Sequence, residues 1–366
     1  MDFQASKPYT LGVELELQLL EKESYNLTSV APSLLEGLPD DFKDRIKPEF
    51  IQSMVEVASG ICNNLEELEN DLKRSVNLLE KLAVKKGCKI FASSLHPFAP
   101  YRNQKVSPGV RYAALMSELQ ISGRRLITQG LHIHVGLPNG PTSIKVCNSI
   151  RQYLPLLLAL TTSSPYYGGE DTGFFSYRSR LLDSLARAGI PHPFGSWDDF
   201  RKLLLLFKRT GIIDDIRDIW WDVRPHPDLG TIEIRICDLP VRFDEIIAIA
   251  GLVLSLVVTL AEKTSPHNYP PLELIATNKW QAARHGLEGK FIDQECISKP
   301  LSMREAIGRL LDRTDEAADR LGCNDSREVI KRILAEGSGA HRKRLIYART
   351  GRFRDMIIQL QEDFWN

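Results

Sequence analysis

The stretch Gly12-Val13-Glu14-Leu15-Glu16-Leu17, near the start of the chain, decides how the fold is interpreted. Side chains alternate between the two faces of a β-strand, so its valine and leucines enter a core together. Glu14 and Glu16 then share the opposite face, close enough for their carboxylates to repel each other. A half-buried strand with a solvated polar face explains such a stretch in isolation, whereas carboxylates that hold cations need matching ligands on other strands.

Three further stretches alternate in the same way and are predicted to be strands: residues 52–57, 131–136 and 231–237. The first offers Glu56, with Glu49 just upstream. The second offers either both of His132 and His134 or neither, because residues two apart share a face. The third directs its isoleucines to the core and leaves its polar side chains opposite. If these strands are neighbours, one sheet face collects several carboxylates, histidine and arginine.

The third of these strands also completes a hairpin. Residues 218–224 are a strand candidate, and a turn rich in proline and glycine joins them to residues 231–237, so the two are predicted to pair antiparallel. Helices are predicted over 64–86, 111–121, 142–161 and 197–208. From residue 244 onward almost only helices are predicted, over 244–263, 272–285, 303–321, 326–335 and 353–364. Strands and helices do not alternate in a βαβ rhythm. The pattern favours an α+β fold with an antiparallel sheet, expected as one catalytic domain over residues 1–366.

Composition excludes several classes of protein. Lysine plus arginine and aspartate plus glutamate both number 47, so nothing draws the chain as a whole to nucleic acid or to an anionic membrane. The N-terminus lacks the apolar region of an export signal, and the apolar run 246–260 is too short to span a bilayer and reads as a buried helix. The six cysteines include no C-x-x-C pair and are predicted to be reduced thiols. We expect a cytoplasmic protein.

Clustered carboxylates raise one another's pKa and oppose folding unless a cation compensates them. Oxygen-rich ligands suit Mg²⁺ or Mn²⁺, which can bridge the phosphates of a nucleotide. The chain has neither a G-x-x-x-x-G-K-[ST] nor a G-x-G-x-x-G motif, so spacing does not establish ATP. Two alternatives stay open at this point: a metal-dependent hydrolase using His132 and His134, and a nucleotide-binding protein without turnover. Glu233 and Arg235 also suit an exposed cross-strand ladder of charges.

Seven motifs, in order through most of the chain, resemble the type 2 glutamate–cysteine ligases, the bacterial carboxylate–amine ligases. They are Gly12–Glu16, Glu49–Val57, Gly130–Gly136, Asp171–Gly173 with Ser176–Ser179, Trp220–Pro227, Gly230–Asp238 and Asn278–Gly286. Of these, the Trp-Trp-Asp-Val-Arg-Pro-His-Pro block is long and specific. In one departure, Leu15 stands where the family often has a third consecutive acid, but a core-facing residue leaves both neighbouring ligand positions intact.

The resemblance implies a glutamine-synthetase-like fold, with a curved antiparallel sheet whose concave face holds metal ions and whose outer face is covered by helices. It implies ATP and Mg²⁺, with Mn²⁺ as a substitute, used to phosphorylate a substrate carboxylate that an amine then attacks. The reference substrates are glutamate, through its γ-carboxylate, and cysteine. By position, the implied metal ligands are Glu14, Glu16, Glu49, Glu56, His132 and Glu233.

The resemblance also implies roles for cationic and aromatic residues. Arg235 is expected to bind the nucleotide and steady the transferring phosphoryl group, and it forms the catalytic pair with Glu233. Arg178 is similar to a clamp for the substrate carboxylate, with Tyr177 and Arg224 beside it in substrate binding. The expected partners are amino-acid substrates, and an open sheet has edges that a second copy of the chain could cover.

Overall fold

A computed structural model describes residues 2–263, 269–294 and 299–366 of the chain. Its strands are β1 (Leu11–Glu21), β2 (Ile46–Pro48), β3 (Met54–Ala58), β4 (Cys88–Phe91), β5 (Leu131–Gly136), β6 (Tyr166–Tyr167), β7 (Glu170–Asp171), β8 (Ala188–Gly189), β9 (Trp220–Trp221), β10 (Val223–His226), β11 (Thr231–Ile234), β12 (Lys290–Phe291) and β13 (Leu301–Ser302).

The α-helices of the described residues are α1 (Ala31–Leu35), α2 (Leu65–Lys85), α3 (Val110–Leu119), α4 (Ile121–Arg124), α5 (Gly140–Ile150), α6 (Leu154–Thr161), α7 (Tyr177–Leu182), α8 (Trp197–Arg209), α9 (Phe243–Glu262), α10 (Leu272–His285), α11 (Met303–Leu321), α12 (Asn324–Glu336), α13 (Gly339–Thr350) and α14 (Phe353–Glu362). Short 3-10 helices occupy Asp40–Phe42, Tyr101–Asn103, Arg151–Tyr153, Ile216–Asp218 and Gly286–Glu288.

Seven strands form one antiparallel sheet, in the order β10–β11–β5–β1–β3–β2, with β4 also paired to β1. All of them precede residue 235, and after that only the two-residue strands β12 and β13 occur among the described residues. The predicted antiparallel α+β fold is therefore confirmed, including the hairpin of β10 and β11.

The core lies on the face of the sheet that the alternation predicted. Val13, Leu15 and Leu17 are almost completely buried, and so are the isoleucines of β11. Helices α2, α5 and α9 pack against this face through β1, β5, β10 and β11. Because helices fill this side with apolar side chains, the polar side chains of the same strands are directed to the other face.

One helix, Phe243–Glu262, is long and apolar enough to cross a membrane, but 89% of its apolar window is buried inside the fold. This agrees with the prediction of a buried helix over 246–260. The five cysteines that the described part of the chain contains, Cys62, Cys88, Cys147, Cys237 and Cys323, are free and buried, as predicted for reduced thiols. Cys296 lies outside the described residues.

Three local differences from the predictions have physical reasons. The helix predicted over 142–161 is divided by the 3-10 turn Arg151–Tyr153, just before Pro155. The strand predicted over 218–224 splits at Asp222, so that β9 pairs parallel with β8 while β10 joins the main sheet. Helix α13 was not predicted, because its buried residues include Gly339, Ala340 and Lys343 and give no apolar stripe.

Candidate active site

The central strands present their acidic side chains on the face of the sheet opposite the core. Glu14 of β1 lies directly opposite His132 of β5, and Glu16 of β1 lies directly opposite Glu56 of β3. Directly opposite residues of an antiparallel pair project to the same face. The strand register therefore brings these four residues together from three separate segments.

Both histidines of β5 lie on this face, which settles the alternative that the sequence left open. His134 of β5 lies opposite Glu233 of β11, and Glu233 lies opposite Arg224 of β10. One ligand atom from each of Glu14, His134 and Glu233 lies within 4.8 Å of the others. His134, which the sequence did not assign as a ligand, is thus in the tightest group of potential ligands.

The His134 ring is oriented as a metal-binding imidazole is. Its Nδ1 lies 3.0 Å from the hydroxyl of Thr231, which holds the ring. Its Nε2 is buried without a hydrogen-bond partner among the described residues, 3.6 Å from Glu14 Oε1 and 3.8 Å from Glu233 Oε1. A buried polar atom without a partner is costly, and a cation held between it and the two carboxylates would remove that cost.

His132 and Glu16 form a second group beside the first. His132 Nδ1 lies 3.2 Å from Glu14 Oε2, and His132 Nε2 lies 3.8 Å from Glu16 Oε1. The other Glu16 oxygen accepts the backbone N–H of Gly130 at 2.5 Å. Glu16 is therefore fixed at one oxygen, and its second oxygen is directed toward the histidine.

Glu49 and Glu56 complete the acidic face at its far side. Glu49 directly follows β2, and its carboxylate accepts the backbone N–H of Phe50 at 2.5 Å. Burial and the charge of Glu16 raise the pKa of Glu49 to about 8. Burial, followed by the charges of Glu14, Glu49 and Glu16, raises the pKa of Glu56 well above its ordinary value. For both carboxyls, nearby positive charge therefore does not offset burial and the neighbouring carboxylates.

The pKa values of Glu14 and Glu233 are shifted in the opposite direction. Burial acts to raise the pKa of Glu14, but its interactions with the imidazoles of His132 and His134 outweigh burial and hold that pKa well below its ordinary value. For Glu233, burial is outweighed by the positive charges of Arg224 and Arg235, and the pKa is again held well below the ordinary value. These two carboxylates stay ionised at neutral pH and are available as anionic ligands.

Two arginines surround the Glu233 carboxylate. Arg224 donates from Nε to Glu233 Oε2 at 2.5 Å, and its NH1 donates to the carbonyls of Ile216 and Ile219 at 2.6 and 2.5 Å. Its side chain is 4% exposed. Arg235 donates to Glu233 Oε1, and its side chain is 18% exposed. Protein groups therefore engage the Arg224 guanidinium from several sides, whereas Arg235 retains a surface that a ligand can reach.

Arg178 and Tyr177 begin helix α7 next to this face. Arg178 is buried and donates to the carbonyls of Arg235 and Ile236 at 3.3 Å each, while its Nε has no partner among the described residues. A Cβ placed on Gly130 would lie 2.4 Å from Arg178 NH2 and 3.0 Å from His132 Nε2, so both side chains converge there. Tyr177 is half-buried and packs its ring on Tyr167 rather than on the acidic cluster.

The donor set fits a divalent cation of the Mg²⁺ class. Carboxylate oxygens predominate, imidazole nitrogens are few, and no cysteine of the described residues belongs to the group of potential ligands. The Nε2 of His134 has no hydrogen-bond partner among the described residues, and burial together with neighbouring carboxylates raises the pKa of Glu49 and of Glu56. A bound cation would relieve both conditions. The roles of individual ligands stay a prediction.

Comparison with known proteins shows which sequence family the chain matches. The family described as glutamate–cysteine ligase family 2 matches residues 10–359. Two relatives provisionally named glutamate–cysteine ligase 2 are each 37% identical to the chain. That of Gloeobacter violaceus aligns over 364 residues, 98% of both chains. That of Herpetosiphon aurantiacus aligns over 356 residues, 96% of this chain and 92% of its own.

Solved structures show the same fold. A glutamate–cysteine ligase from Francisella tularensis in complex with AMP superposes with a TM-score of 0.73 at 14% identity, over 100% of this chain and 90% of its own. A bifunctional glutathione synthetase from Pasteurella multocida superposes with a TM-score of 0.67 at 15% identity, over 97% of this chain and 51% of its own. At such identities the likeness establishes the fold and not the substrates.

Proposed function

Because the chain belongs to the glutamate–cysteine ligase family 2, we propose that it is an ATP-dependent carboxylate–amine ligase whose active site is the acidic face of β1, β3, β5 and β11. One observation carries the proposal. Ligand atoms of Glu14, His134 and Glu233 converge within 4.8 Å, and the partly exposed Arg235 is bound to the Glu233 carboxylate. This combination suits the binding of anionic phosphates beside a metal ion.

The residues proposed to hold Mg²⁺, or Mn²⁺ in its place, are Glu14, Glu16, Glu49, Glu56, His132 and Glu233, with His134 added from its position in the structure. When bound, such a cation neutralises phosphate charge that the carboxylates alone would repel. The support is electrostatic: among the proposed ligands, Glu49 and Glu56 have raised pKa values, and they lie close to the ionised Glu14.

Arg235 is proposed to bind the nucleotide and stabilise the transferring phosphoryl group. Burial acts to lower the pKa of its guanidinium, but the charge of Glu233 outweighs burial and raises it, so the group stays cationic. Glu233 fixes one edge of the guanidinium, and the exposed remainder can donate to phosphate oxygens. Such a preorganised donor costs little reorganisation when charge moves in the reaction.

The reaction proposed at this site has two steps. An oxygen of the substrate carboxylate attacks the γ-phosphorus of ATP, and ADP leaves. The amine nitrogen then attacks the carbonyl carbon of the acyl phosphate, the C–O bond to phosphate breaks, and inorganic phosphate leaves with the proton that the nitrogen loses as the amide forms. Exclusion of water would protect the acyl phosphate between the steps.

The proposed substrates are glutamate, phosphorylated on its γ-carboxylate, and an amine such as cysteine, which is expected to react at a low rate. The names of the relatives and the AMP complex of a structural neighbour support this class of substrates. Arg178 is proposed to bind a substrate carboxylate, with Tyr177 beside it. Arg224 was assigned to the same role, and its internal bonds support a contribution through Glu233 instead.

We extend the proposal to the whole chain as one catalytic domain that acts in the cytoplasm, with homo-oligomerisation through the sheet edge. The match to the family over residues 10–359 supports one catalytic unit. Strand β2 lies at an edge of the main sheet and would be the place for a second copy to pair.

The experiment is a screen for ADP release over pairs of amino acids with Mg²⁺ or Mn²⁺. The wild-type chain is expected to release ADP only when a carboxylate and an amine substrate are both present. Arg235→Ala and Glu233→Gln are expected to lose about a hundredfold or more of this rate. Arg349→Ala, which removes an exposed guanidinium bound to Gln359, is the matched control and is expected to keep it.

Circular dichroism must show that the variants fold. Wild-type rates in either variant would contradict the assigned roles. Hydrolysis without nucleotide together with bound zinc would favour the hydrolase alternative, and ATP binding without ADP release for any pair would favour a protein without turnover.

A further inference from the structure

Arg235 stands where the regular sheet ends, so the ladder of β-strand hydrogen bonds does not orient it. Strand β11 stops at Ile234, which lies opposite Val223. The next two backbone N–H groups, those of Arg235 and Ile236, both donate to the carbonyl of Asp222, at 2.9 and 3.2 Å. Two residues thus oppose one, which is a β-bulge, and bulges beside functional sites change the direction of a side chain.

The residue that anchors this bulge is itself held by a buried lysine. Lys279 of α10 donates from Nζ to Asp222 Oδ2 at 2.7 Å and to Asp183 Oδ1 at 2.7 Å. The side chains of Lys279 and Asp222 are 8% and 9% exposed. Burial lowers the pKa of Lys279, but the charges of Asp222 and Asp183 outweigh it and raise the pKa, so the ammonium group stays charged. Because the ion pair of Lys279 and Asp222 is buried away from water, it is favourable only in a well-defined geometry.

The same lysine reaches the second arginine of the site. Asp183 directly follows helix α7, which carries Arg178, and so Lys279 restrains the C-terminal end of that helix. The guanidinium of Arg178 donates to the carbonyls of Arg235 and Ile236. These are the same two residues whose backbone N–H groups donate to the carbonyl of Asp222. A closed set of contacts therefore runs from Lys279 through both aspartates to both arginines.

We propose that Lys279 is a positioning residue of this site, which sets the direction of Arg235 through Asp222 and that of Arg178 through Asp183. Within the described residues the hydrogen bonds of the Lys279 ammonium go to the two aspartates and not to a proposed metal ligand, and its action on the reaction rests on the proposed function. An ion pair that only stabilised the fold would lower stability on removal without changing how the arginines act. A positioning role and a purely stabilising role differ in how much activity is lost when Lys279 is removed from a variant whose Arg235 is already altered.

The activity-independent test is the crystal structure of Lys279→Met beside that of the wild type, both solved for the full chain. Lys279→Met/Asp222→Asn serves if the single variant does not fold, since it also removes the carboxylate that would be left buried and uncompensated. The proposal expects the Arg235 guanidinium to move away from Glu233 and the double donation to Asp222 to be lost. Unchanged positions of Arg235 and Arg178 would overturn it.

The kinetic test is a double-mutant cycle with Arg235→Lys. Lys279→Met is expected to lower kcat for ADP release by about tenfold or more in the wild-type background, with a smaller rise in KM for ATP. In the Arg235→Lys background the same substitution is expected to cost less than about threefold, because the residue it positions is already impaired.

Lys145→Met is the matched control, because Lys145 donates to the carbonyl of Ala261 on the helical side of the sheet. It is expected to leave kcat unchanged. Equal losses from Lys279→Met in both backgrounds would overturn the proposal even if both variants were destabilised. If the wild type releases no ADP with any amino-acid pair, the proposed function fails, and the comparison of crystal structures still decides whether Lys279 positions the arginines.

Discussion

Glu16 of β1 lies directly opposite Glu56 of β3, so two carboxylates face each other across neighbouring strands. Like charges in this position destabilise a sheet. The pKa of Glu56 is raised well above its ordinary value, first by burial and then by the charges of Glu14, Glu49 and Glu16. The fold therefore carries an unfavourable charge arrangement at the place where we propose that a divalent cation binds.

A cation that binds only the folded state should raise stability with the logarithm of its concentration once that concentration exceeds its dissociation constant. At a concentration about a hundredfold above its dissociation constant, Mg²⁺ is expected to add about 2.7 kcal/mol to the free energy of unfolding. Thermal unfolding with Mg²⁺ against EDTA measures this, and an increase of roughly 3–4 °C in Tm is expected.

Glu56→Gln should change stability both in EDTA and in Mg²⁺. Without divalent cation it removes a carboxyl whose ionisation burial and the neighbouring carboxylates oppose, and it is expected to raise the free energy of unfolding by about 1 kcal/mol. With Mg²⁺ the increase in Tm should shrink, since one ligand is lost. Glu21→Gln, at the end of the neighbouring strand β1 and hydrogen-bonded to Ser24, is the control and should leave the Mg²⁺ response intact. An equal response in all three proteins would place the cation elsewhere.

The two arginines on Glu233 are expected to differ in what their loss affects. Arg224→Met removes a buried partner of Glu233 and leaves the carbonyls of Ile216 and Ile219 without it, so a loss of about 3–5 kcal/mol in stability is expected. Arg235→Met leaves Glu233 paired with Arg224 and should cost only about 1–2 kcal/mol.

Urea unfolding gives the two stabilities, and ADP release gives the two rates. We expect Arg235→Met to be the more stable but the less active of the folded variants. A reversed order, with Arg224 carrying the larger kinetic effect at equal stability, would assign the phosphate contact to Arg224 instead.

Lys343 of α13 should make stability depend on pH, away from the acidic face. It is buried, donates to the hydroxyl of Ser93 and to the carbonyl of Ser163, and burial lowers its pKa from 10.5 to about 7. Between those two values the unfolded chain binds a proton at this lysine that the folded chain does not. The free energy of unfolding is therefore expected to rise with pH in this window, by up to about 1.4 kcal/mol per pH unit, and to be lowest below pH 7.

The slope that belongs to Lys343 is the difference between the wild type and Lys343→Met, because the other titrating groups are common to both. Urea unfolding at several pH values measures it. Parallel pH profiles for the two proteins would show that the amine is charged in the folded state.

Much of the fold follows from side-chain alternation, because a half-buried strand must separate its apolar and polar residues. Strands β1, β3 and β5 were predicted near their true bounds, as were the helices with a clear apolar stripe, such as α2 with its capping Asn64. The polar face was predictable for the same reason.

The relations between distant segments could not be read in the same way. Alternation places His132 and His134 on one face but does not say which face, and the pairing of β5 with β1 decides it. The contacts of Lys279 join residues 96 and 57 positions away, and no periodic pattern connects them. Such contacts arise from the packing of helices on the sheet, which a local pattern does not specify.

Gly130 offers a way to disturb the site with a single methyl group. Its backbone N–H binds Glu16, and a Cβ there would lie 2.4 Å from Arg178 NH2 and 3.0 Å from His132 Nε2. The distance to Arg178 is too short for real atoms, so Gly130→Ala must displace the guanidinium. Since Arg178 is the proposed clamp for a substrate carboxylate, KM for that substrate should rise by about tenfold, equivalent to about 1.4 kcal/mol of binding.

Gly308 of α11 provides the matched control, because a Cβ added there meets no atom within 4 Å. Gly308→Ala should raise stability by about 0.5–1 kcal/mol through helix propensity and leave kinetics unchanged. Steady-state kinetics with the carboxylate substrate varied at saturating ATP separates the two variants. A wild-type KM in folded Gly130→Ala would mean that the guanidinium of Arg178 can move without consequence for the substrate, and the clamp would have to be sought among other cations of this face.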